Sequence, residues 1–169
     1  PGWRGNLRLQ GTNYAGIPVS YSIEGDISRP RSERLNDTND FQGGLIQFGI
    51  RPSVQDSVFL FTNIYDGEEG IPGRLYDPTP TARTQTEGEI IGGAWSHTIE
   101  ERNTIQVFAV RSDTDTRQLY QAVDSMTGEF FDVDQRFRDR FWTGGFAHIL
   151  GIGPVTLRYG AEATRLESR

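Results

Sequence analysis

The side chains best suited to chemistry in this sequence are carboxylates, guanidiniums and phenols gathered in polar stretches. Asp66, Glu68, Glu69 and Asp77 stand in a Gly-rich segment, and carboxylates at that density are the hard oxygen ligands that calcium takes, although their spacing is not that of an EF-hand loop. Asp113, Asp115, Asp124, Asp132 and Asp134 form a second acidic series with the same potential. Arg29, Arg31, Arg34, Arg74 and Arg83 lie in or beside the polar stretches. Guanidinium groups bind an anionic ligand through charge-assisted hydrogen bonds; the alternative for each is a pairing with a neighbouring acid. Tyr65, Tyr76 and Tyr120 offer rings to a ligand at the same places. His97 and His148 are the two histidines, and both fall in phase with apolar neighbours, which favours packing or an interfacial position over ligation. No Gly-x-Ser-x-Gly elbow, His-Glu-x-x-His pair or Walker loop occurs. Cysteine is absent, so thiol nucleophiles, thiolate metal sites and disulfides are excluded. The chain reads as a binding or transport protein without catalysis.

The elements that carry these residues follow from a period of two. In the stretch from Ala15 to Ser28, Ile17, Val19, Tyr21, Ile23 and Ile27 fall on odd positions and Ser20, Ser22, Glu24 and Asp26 on even ones, the pattern of an extended strand with one apolar and one wet face. The run is about a dozen residues, whereas strands of soluble domains usually stop near five or six and a strand crossing a bilayer needs roughly nine to eleven. The alternation returns at 3–11, 41–51, 57–65, 87–98, 104–111, 141–150 and 155–163. Short turns follow the first strand and fall near 51–56, 99–103 and 151–154. Long polar connections run over 29–40, 66–86 and 112–138.

Short and long connections alternate along the chain. In an antiparallel meander all short turns then lie at one end and all long loops at the other, as in outer-membrane barrels. The expected fold is therefore all-β, an antiparallel up-and-down meander of about eight long strands forming part of a transmembrane β-barrel. Trp95 near a short turn and Trp142 near a long loop stand where interfacial aromatic girdles lie.

A formal net charge of -6 argues against a nucleic-acid partner, because phosphate binding needs an excess of Lys and Arg. The hydrophobic fraction is 35%, and no apolar run reaches the roughly eighteen residues of a membrane helix. Neither observation speaks against a membrane β-barrel, whose inward residues dilute the hydropathy.

Tyr65-Asp66-Gly67-Glu68-Glu69-Gly70-Ile71-Pro72-Gly73, followed by Pro78-Thr79-Pro80-Thr81-Ala82-Arg83, resembles the barrel portion of a TonB-dependent outer-membrane receptor. In that family a Gly-hydrophobic-Pro-Gly loop and a Pro/Thr/Ala-Arg segment follow a strand ending in Tyr-Asp. The polar loop, the strand ending in Arg51-Pro52 and the short turn before it fit the same family. The resemblance implies a bacterial outer-membrane location and uptake of a scarce nutrient such as a ferric siderophore, a vitamin or an oligosaccharide. It further implies a barrel of about twenty-two strands around a plug that contacts TonB. Residues 1–169 then read as an internal segment of that barrel domain, with lipid and lipopolysaccharide around it. Arg29, Arg31, Arg34, Tyr65, Arg74, Tyr76, Arg83 and Tyr120 would stand at the ligand entrance. Two alternatives differ in kind. One is a self-contained eight-stranded outer-membrane barrel. The other is a soluble β-sandwich carbohydrate-binding module, in which Tyr14, Tyr65, Tyr76 and Tyr120 would stack on sugars.

Overall fold

A computed structural model of the chain describes residues 2–30, 36, 38–71, 73–74, 77–78 and 81–169, with backbone alone at 73–74 and 77–78. The long strands are β1 (Trp3–Asn13), β2 (Val19–Arg29), β3 (Asn39–Ile50), β4 (Asp56–Gly70), β7 (Arg83–Glu100), β8 (Asn103–Val123), β9 (Phe130–Ile152) and β10 (Val155–Ser168). Two short strands, β5 (Gly73–Arg74) and β6 (Asp77–Pro78), form a small pair in the β4–β7 connection. The eight long strands make one antiparallel sheet in sequence order, β1-β2-β3-β4-β7-β8-β9-β10. The expected meander is therefore present.

Three strands are longer than the hydrophobic alternation indicated. β4 runs on through Asp66, Gly67, Glu68 and Glu69 to Gly70, so the connection to β7 covers 71–82 instead of 66–86. β8 and β9 together reach 21 and 23 residues, which converts most of the expected 112–138 loop into a paired hairpin. Its turn is confined to 124–129. In β8 the alternation persists as Asp113, Asp115 and Arg117 against Thr114, Thr116 and Gln118, and in β9 as Asp132, Asp134, Arg136 and Arg138 against Val133, Gln135 and Phe137. Turns at the other end are tight. Glu101 and Arg102 alone separate β7 from β8, and Gly153 and Pro154 separate β9 from β10. Gly153 has φ +57°, the first central position of a two-residue hairpin that only glycine fills without strain.

The register fixes how the sheet lies. Val19, Ile50, Val58, Trp95, Val107 and Phe146 form one continuous cross-strand row at the β1–β2 turn. Beyond that row the β3–β4 pair reaches the level of His97, two residues further along β7. The β7–β8 pair reaches Leu150 and the β9–β10 pair Ile152, so each hairpin steps two residues past the one before it. One residue of stagger per strand, with about 3.3 Å of rise and about 4.8 Å between strands, tilts the strands by about 35°. That is the tilt of a barrel wall, with all short turns at one level.

One face carries an apolar belt: Leu7 and Leu9, Val19 to Ile27 at odd positions, Ile46 and Phe48, Val58 to Ile64 at even positions, then Ile91, Trp95, Val107, Phe146, Leu150 and Leu157. Along β9 the belt runs from Ile152 to Trp142, about 33 Å of strand and about 27 Å along the normal of a tilted wall, against roughly 25 Å for a membrane barrel's apolar band. Nothing in the described residues covers it. Leu7 is 75% exposed, Ile64 57% and Leu60 50%, and Ala82 is the one buried hydrophobic residue among the described residues. A sandwich requires a second sheet pressed against that face, so the soluble sandwich expectation is not met. The closed eight-stranded barrel is not met either, because among the described residues β1 pairs with β2 alone and β10 with β9 alone.

The opposite face departs from a uniformly wet lining. It is polar along β1 and β2, where Arg8 and Glu24 form an ion pair of 3.0 Å. Across β3 to β9 it bears Phe41, Leu45, Phe59, Phe61, Tyr65, Ile90, Phe108 and Phe141. The rings of Phe41, Phe61, Tyr65 and Phe108 lie against glycines of the sheet. A Cβ on Gly92 would stand 2.6 Å from the Phe61 ring, and one on Gly88 2.2 Å from the Tyr65 ring. Glycine opposite an aromatic lets the ring lie flat and restores the packing that the missing side chain gives up.

Candidate functional site

The long-loop end collects the polar groups singled out in the sequence, and strand parity divides them between the two faces. Arg29 ends β2, with its guanidinium 5.9 Å from the Trp3 ring centroid and Nε 3.6 Å from Asp40. Arg83 opens β7 and donates to Glu68 Oε1 at 3.4 Å. Both lie on the belt side, above the belt. Tyr65 is on the opposite face, its hydroxyl 3.2 Å from Thr114 Oγ1, so its ring bridges three strands and is half-buried. Tyr120 stands on that same face near the tip, across from Val133. Arg31, Arg34 and Tyr76 lie outside the described residues, as do the side chains of Arg74 and Asp77.

Of the proposed calcium ligands, the three with described side chains do not converge. Asp66 accepts from Gln42 Nε2 at 3.0 Å and Glu68 from Gln85 Nε2 at 2.8 Å, both on the belt side. Glu69, one residue further along an extended strand, points to the opposite side. Among the described residues no three acids or histidines stand together as a metal site.

The two loops of this end are joined. Asn36, with φ +57°, sends its side-chain amide to the carbonyls of Ile71 and Ala82. Gly70 N donates to Thr38 O and Ile71 N to Ala82 O, each at 2.8 Å. The β2–β3 and β4–β7 connections are thus stitched across the end of β4, and this is where Ala82 is buried.

The second acidic series belongs to a strand ladder that hydrophobicity alone does not reveal. Asp113, Asp115, Asp132 and Asp134 all fall on the belt side of the β8–β9 hairpin, beyond the belt. Arg138 donates to Asp113 through Nε at 3.0 Å, Arg140 through Nε at 3.0 Å and Arg111 through Nη2 at 3.2 Å. Arg136 grips Asp115 in a fork, with Nε and Nη2 at 2.8 and 2.7 Å, and Arg117 grips Asp134 at 2.8 and 2.6 Å. Gln121 donates to Asp132 at 3.2 Å. Hydrogen bonds from Arg138 and Arg111, with the positive charge of Arg138 and Arg140, pull the Asp113 carboxyl down to about 2. Arg136 likewise holds Asp115 below the usual carboxylate range, and Arg117 does so for Asp134. Asp124 serves the turn, accepting from Met126 N at 2.7 Å and Thr127 N at 3.1 Å. A readable signal existed: Asp113, Asp115 and Arg117 alternate at odd positions and Asp132, Asp134, Arg136, Arg138 and Arg140 at even ones, two sets that share one face once the strands pair.

Both histidines sit at the short-turn rim of the belt. His97 Nδ1 is 2.8 Å from Asp56 Oδ1, an oxygen that also accepts from Trp95 Nε1 at 3.1 Å. His148 bonds Tyr159 and Asn103. With Trp142 at the other edge, under the Arg111 guanidinium at 5.0 Å, the belt is bounded on both sides by amphipathic rings.

No protein-family model matches this sequence, and no curated protein is similar to it. Among solved structures the chain is similar to the ferric citrate transporter FecA in its unliganded form, with a TM-score of 0.72 and 14% identity. The match covers 98% of this chain and 26% of that one, so the chain spans about a quarter of FecA's length. The fold is that of part of the FecA barrel.

Proposed function

We propose that the chain is a wall segment of an outer-membrane transporter of the TonB-dependent kind, which takes up a scarce nutrient such as a ferric chelate, a vitamin or an oligosaccharide. The observation that carries this reading is the uncovered belt on a staircase of tilted hairpins. Such a surface is stable where hydrocarbon solvates it and every backbone group is bonded within the wall. The shared fold with part of the FecA barrel supports the same reading. In this arrangement the belt faces lipid and the opposite face lines the interior. The short turns lie in the periplasm and the long hairpins outside the cell. Tyr65 and Tyr120 on the inward face, with Arg31, Arg34, Arg74 and Tyr76, supply the ligand entrance, while Arg29 and Arg83 stand on the outer side paired with Asp40 and Glu68; energy arrives through TonB acting on a plug.

The test uses the protein folded into phosphatidylcholine vesicles, with brominated acyl chains as quenchers. Trp95 and Trp142 fluorescence should be quenched most by bromines near the two interfaces. Fluorescence indifferent to brominated lipid, with a monodisperse fold in plain buffer, would overturn the reading. Equilibrium dialysis against ferric citrate, cobalamin and maltooligosaccharides then separates the nutrient classes, with R31Q and R34Q expected to weaken an anionic chelate and leave a neutral sugar unaffected.

A further inference from the structure

The face opposite the belt changes character between β2 and β4. On β1 and β2 it carries hydroxyls, amides and the Arg8–Glu24 pair, and on β4 it carries Phe59, Phe61 and Tyr65. At the seam, strand pairing sets Gln10, Ser22, Gln47 and Phe61 in one row and Thr12, Ser20, Gly49 and Phe59 in the next, toward the short turns. Gly49 keeps the seam open: a Cβ there would stand 2.6 Å from Ser20 Oγ. A cavity of about 490 Å³ results, lined on this face by Gln10, Thr12, Ser20, Ser22, Gln47 and Phe59. Sites for small molecules span roughly 300–1,000 Å³.

Its lining is aromatic and hydrogen-bonding without charge. Phe59 is 42% exposed, while Phe61, 6.0 Å away between ring centres, is folded down against Gly92. The amides of Gln10 and Gln47 have no hydrogen-bond partner among the described residues, so each can both donate and accept. The Ser22 hydroxyl donates to Glu24 at 3.1 Å and keeps its lone pairs for an incoming donor. Arg8 and Glu24, two residues further along their strands, are paired with each other at 3.0 Å. Arg51 lines an adjoining hollow of about 340 Å³ toward the short turns.

An anion entering this cavity loses its water without gaining a counter-charge. A polyol gains in two ways: its hydroxyls bond to the amides and hydroxyls in either sense, and the C–H face of a pyranose meets the electron-rich face of a ring. A face that only had to stay dry would hold no open amides beside the ring, and one that only lined water would hold no exposed ring.

We propose that this cavity is a subsite for a neutral saccharide ring, with Phe59 as the stacking surface and Gln10, Ser22 and Gln47 as partners for its hydroxyls. This rests on the reading that the face opposite the belt lines the interior of an outer-membrane transporter. Among the nutrient classes, the subsite selects an oligosaccharide over a ferric chelate.

The experiment folds the chain into phosphatidylcholine vesicles and measures equilibrium dialysis of maltoheptaose and of ferric citrate, with tryptophan quenching by brominated lipid read on every variant. The parent should bind maltoheptaose more tightly than ferric citrate. F59L, which keeps an apolar side chain and removes the ring, should weaken maltoheptaose about fivefold, the size of a contact between two rings, and F59W should restore it. Q10A/Q47A should weaken it about 25-fold, at about fivefold per hydrogen bond, and R51Q should leave it unchanged. Ferric citrate bound more tightly than maltoheptaose, and lost in R51Q, would show an anion site and overturn the proposal. Absence of saccharide binding, or binding that F59L and Q10A/Q47A leave intact, would also overturn it; with quenching preserved, the membrane reading then stands. Loss of quenching in the parent would overturn the membrane reading and the subsite with it.

Discussion

The β8–β9 hairpin contains two regions with one backbone and opposite side-chain logic. Below Trp142 the belt side of these strands carries Ile105, Val107, Ala109, Phe146 and Leu150, and above it Asp113, Asp115, Arg117, Arg136, Arg138 and Arg140. The ladder of backbone hydrogen bonds runs through both without interruption. In the lower region no protein layer covers the side chains; in the upper region each charged group is paired across the strands. The contrast shows what a strand hairpin needs where no core exists. On the proposed reading, a hairpin surrounded by hydrocarbon needs only apolar side chains, and one surrounded by water needs cross-strand complements. Trp142, with Arg111 above its ring, marks the changeover.

The strongest way to break this comparison is to put a charge where the lower region claims hydrocarbon. Leu60 lies at mid-belt between Phe48 and Gly93. Leu60→Arg should cost about 2–4 kcal/mol of folding stability in vesicles. Thr116→Arg, above the belt on the opposite face, should stay within about 0.5 kcal/mol. Denaturant titration of the vesicle-bound protein reads both. Equal costs would mean that the two regions share one solvent.

The next test concerns the opposite face, where ring and glycine are complementary. A methyl group at Gly88 would occupy the space of the Tyr65 ring, so Gly88→Ala should cost about 1–3 kcal/mol through overpacking. Tyr65→Ala removes the hydroxyl contact to Thr114 and leaves a hollow, so it is destabilising as well. The double variant should be less unstable than the two losses added together, because the new methyl group enters the space that the ring vacates. Strict additivity in the double-mutant cycle would show that the ring and the glycine do not share one space.

The same contrast explains how much of the molecule was legible from sequence. Wherever the belt supplies apolar residues at every second position, as in Val19 to Ile27 or Val58 to Ile64, strand, parity and turn position all follow from hydrophobicity. Where Asp and Arg replace them, as from Ser112 to Arg138, the same criterion reports a loop, since it tests for water avoidance and these groups are satisfied by one another. The extension of β4 through Asp66, Glu68 and Glu69 was hidden for the same reason. It also led a single strand to look like a carboxylate cluster, because neighbours in sequence fall on opposite faces only once the backbone is extended. The clasp of Asn36 on Ile71 and Ala82 joins residues 35 and 46 positions apart, a contact that no local pattern encodes. The staircase of hairpins depends on register across all eight strands and is equally invisible to a local reading.

A third test sharpens the upper region alone. The Asp113 carboxyl, drawn down to about 2 by Arg138 and Arg111, is ionised in the folded hairpin at pH values where an unfolded aspartate already takes a proton. A lowered carboxyl pKa stabilises the folded state fully above the ordinary value of about 3.9, and that contribution disappears as pH falls toward 2. The amides of 113–123 should therefore lose hydrogen-exchange protection between about pH 4 and pH 2, after correction for intrinsic rates, while those of 103–109 keep theirs. Asp113→Asn should abolish most of that pH dependence and lower protection of the upper hairpin at neutral pH. A parallel decline in both halves would show that the ladder does not hold the upper one.

The smallest effect is expected at the tip, where the upper hairpin turns. Gly128 has φ +72°, and its amide donates to Asp124 O at 2.8 Å while the Asp124 side chain accepts from Met126 and Thr127. Alanine in that left-handed conformation is disfavoured by about 1 kcal/mol. The open space around Gly128 adds no steric term, so the whole cost is conformational. Because Met126 is 95% exposed and the Arg117–Asp134 fork closes the strands below the turn, the cost should remain in the last few residues. Gly128→Ala should raise exchange of the Gly128 and Asp124 amides by about fivefold, and Gly128→Asn should raise it less, since asparagine tolerates that conformation better. Neither should alter exchange at Arg111 or Ala109. A change that spread down to those residues would mean that the paired charges do not isolate the tip, and that upper and lower regions open as one unit.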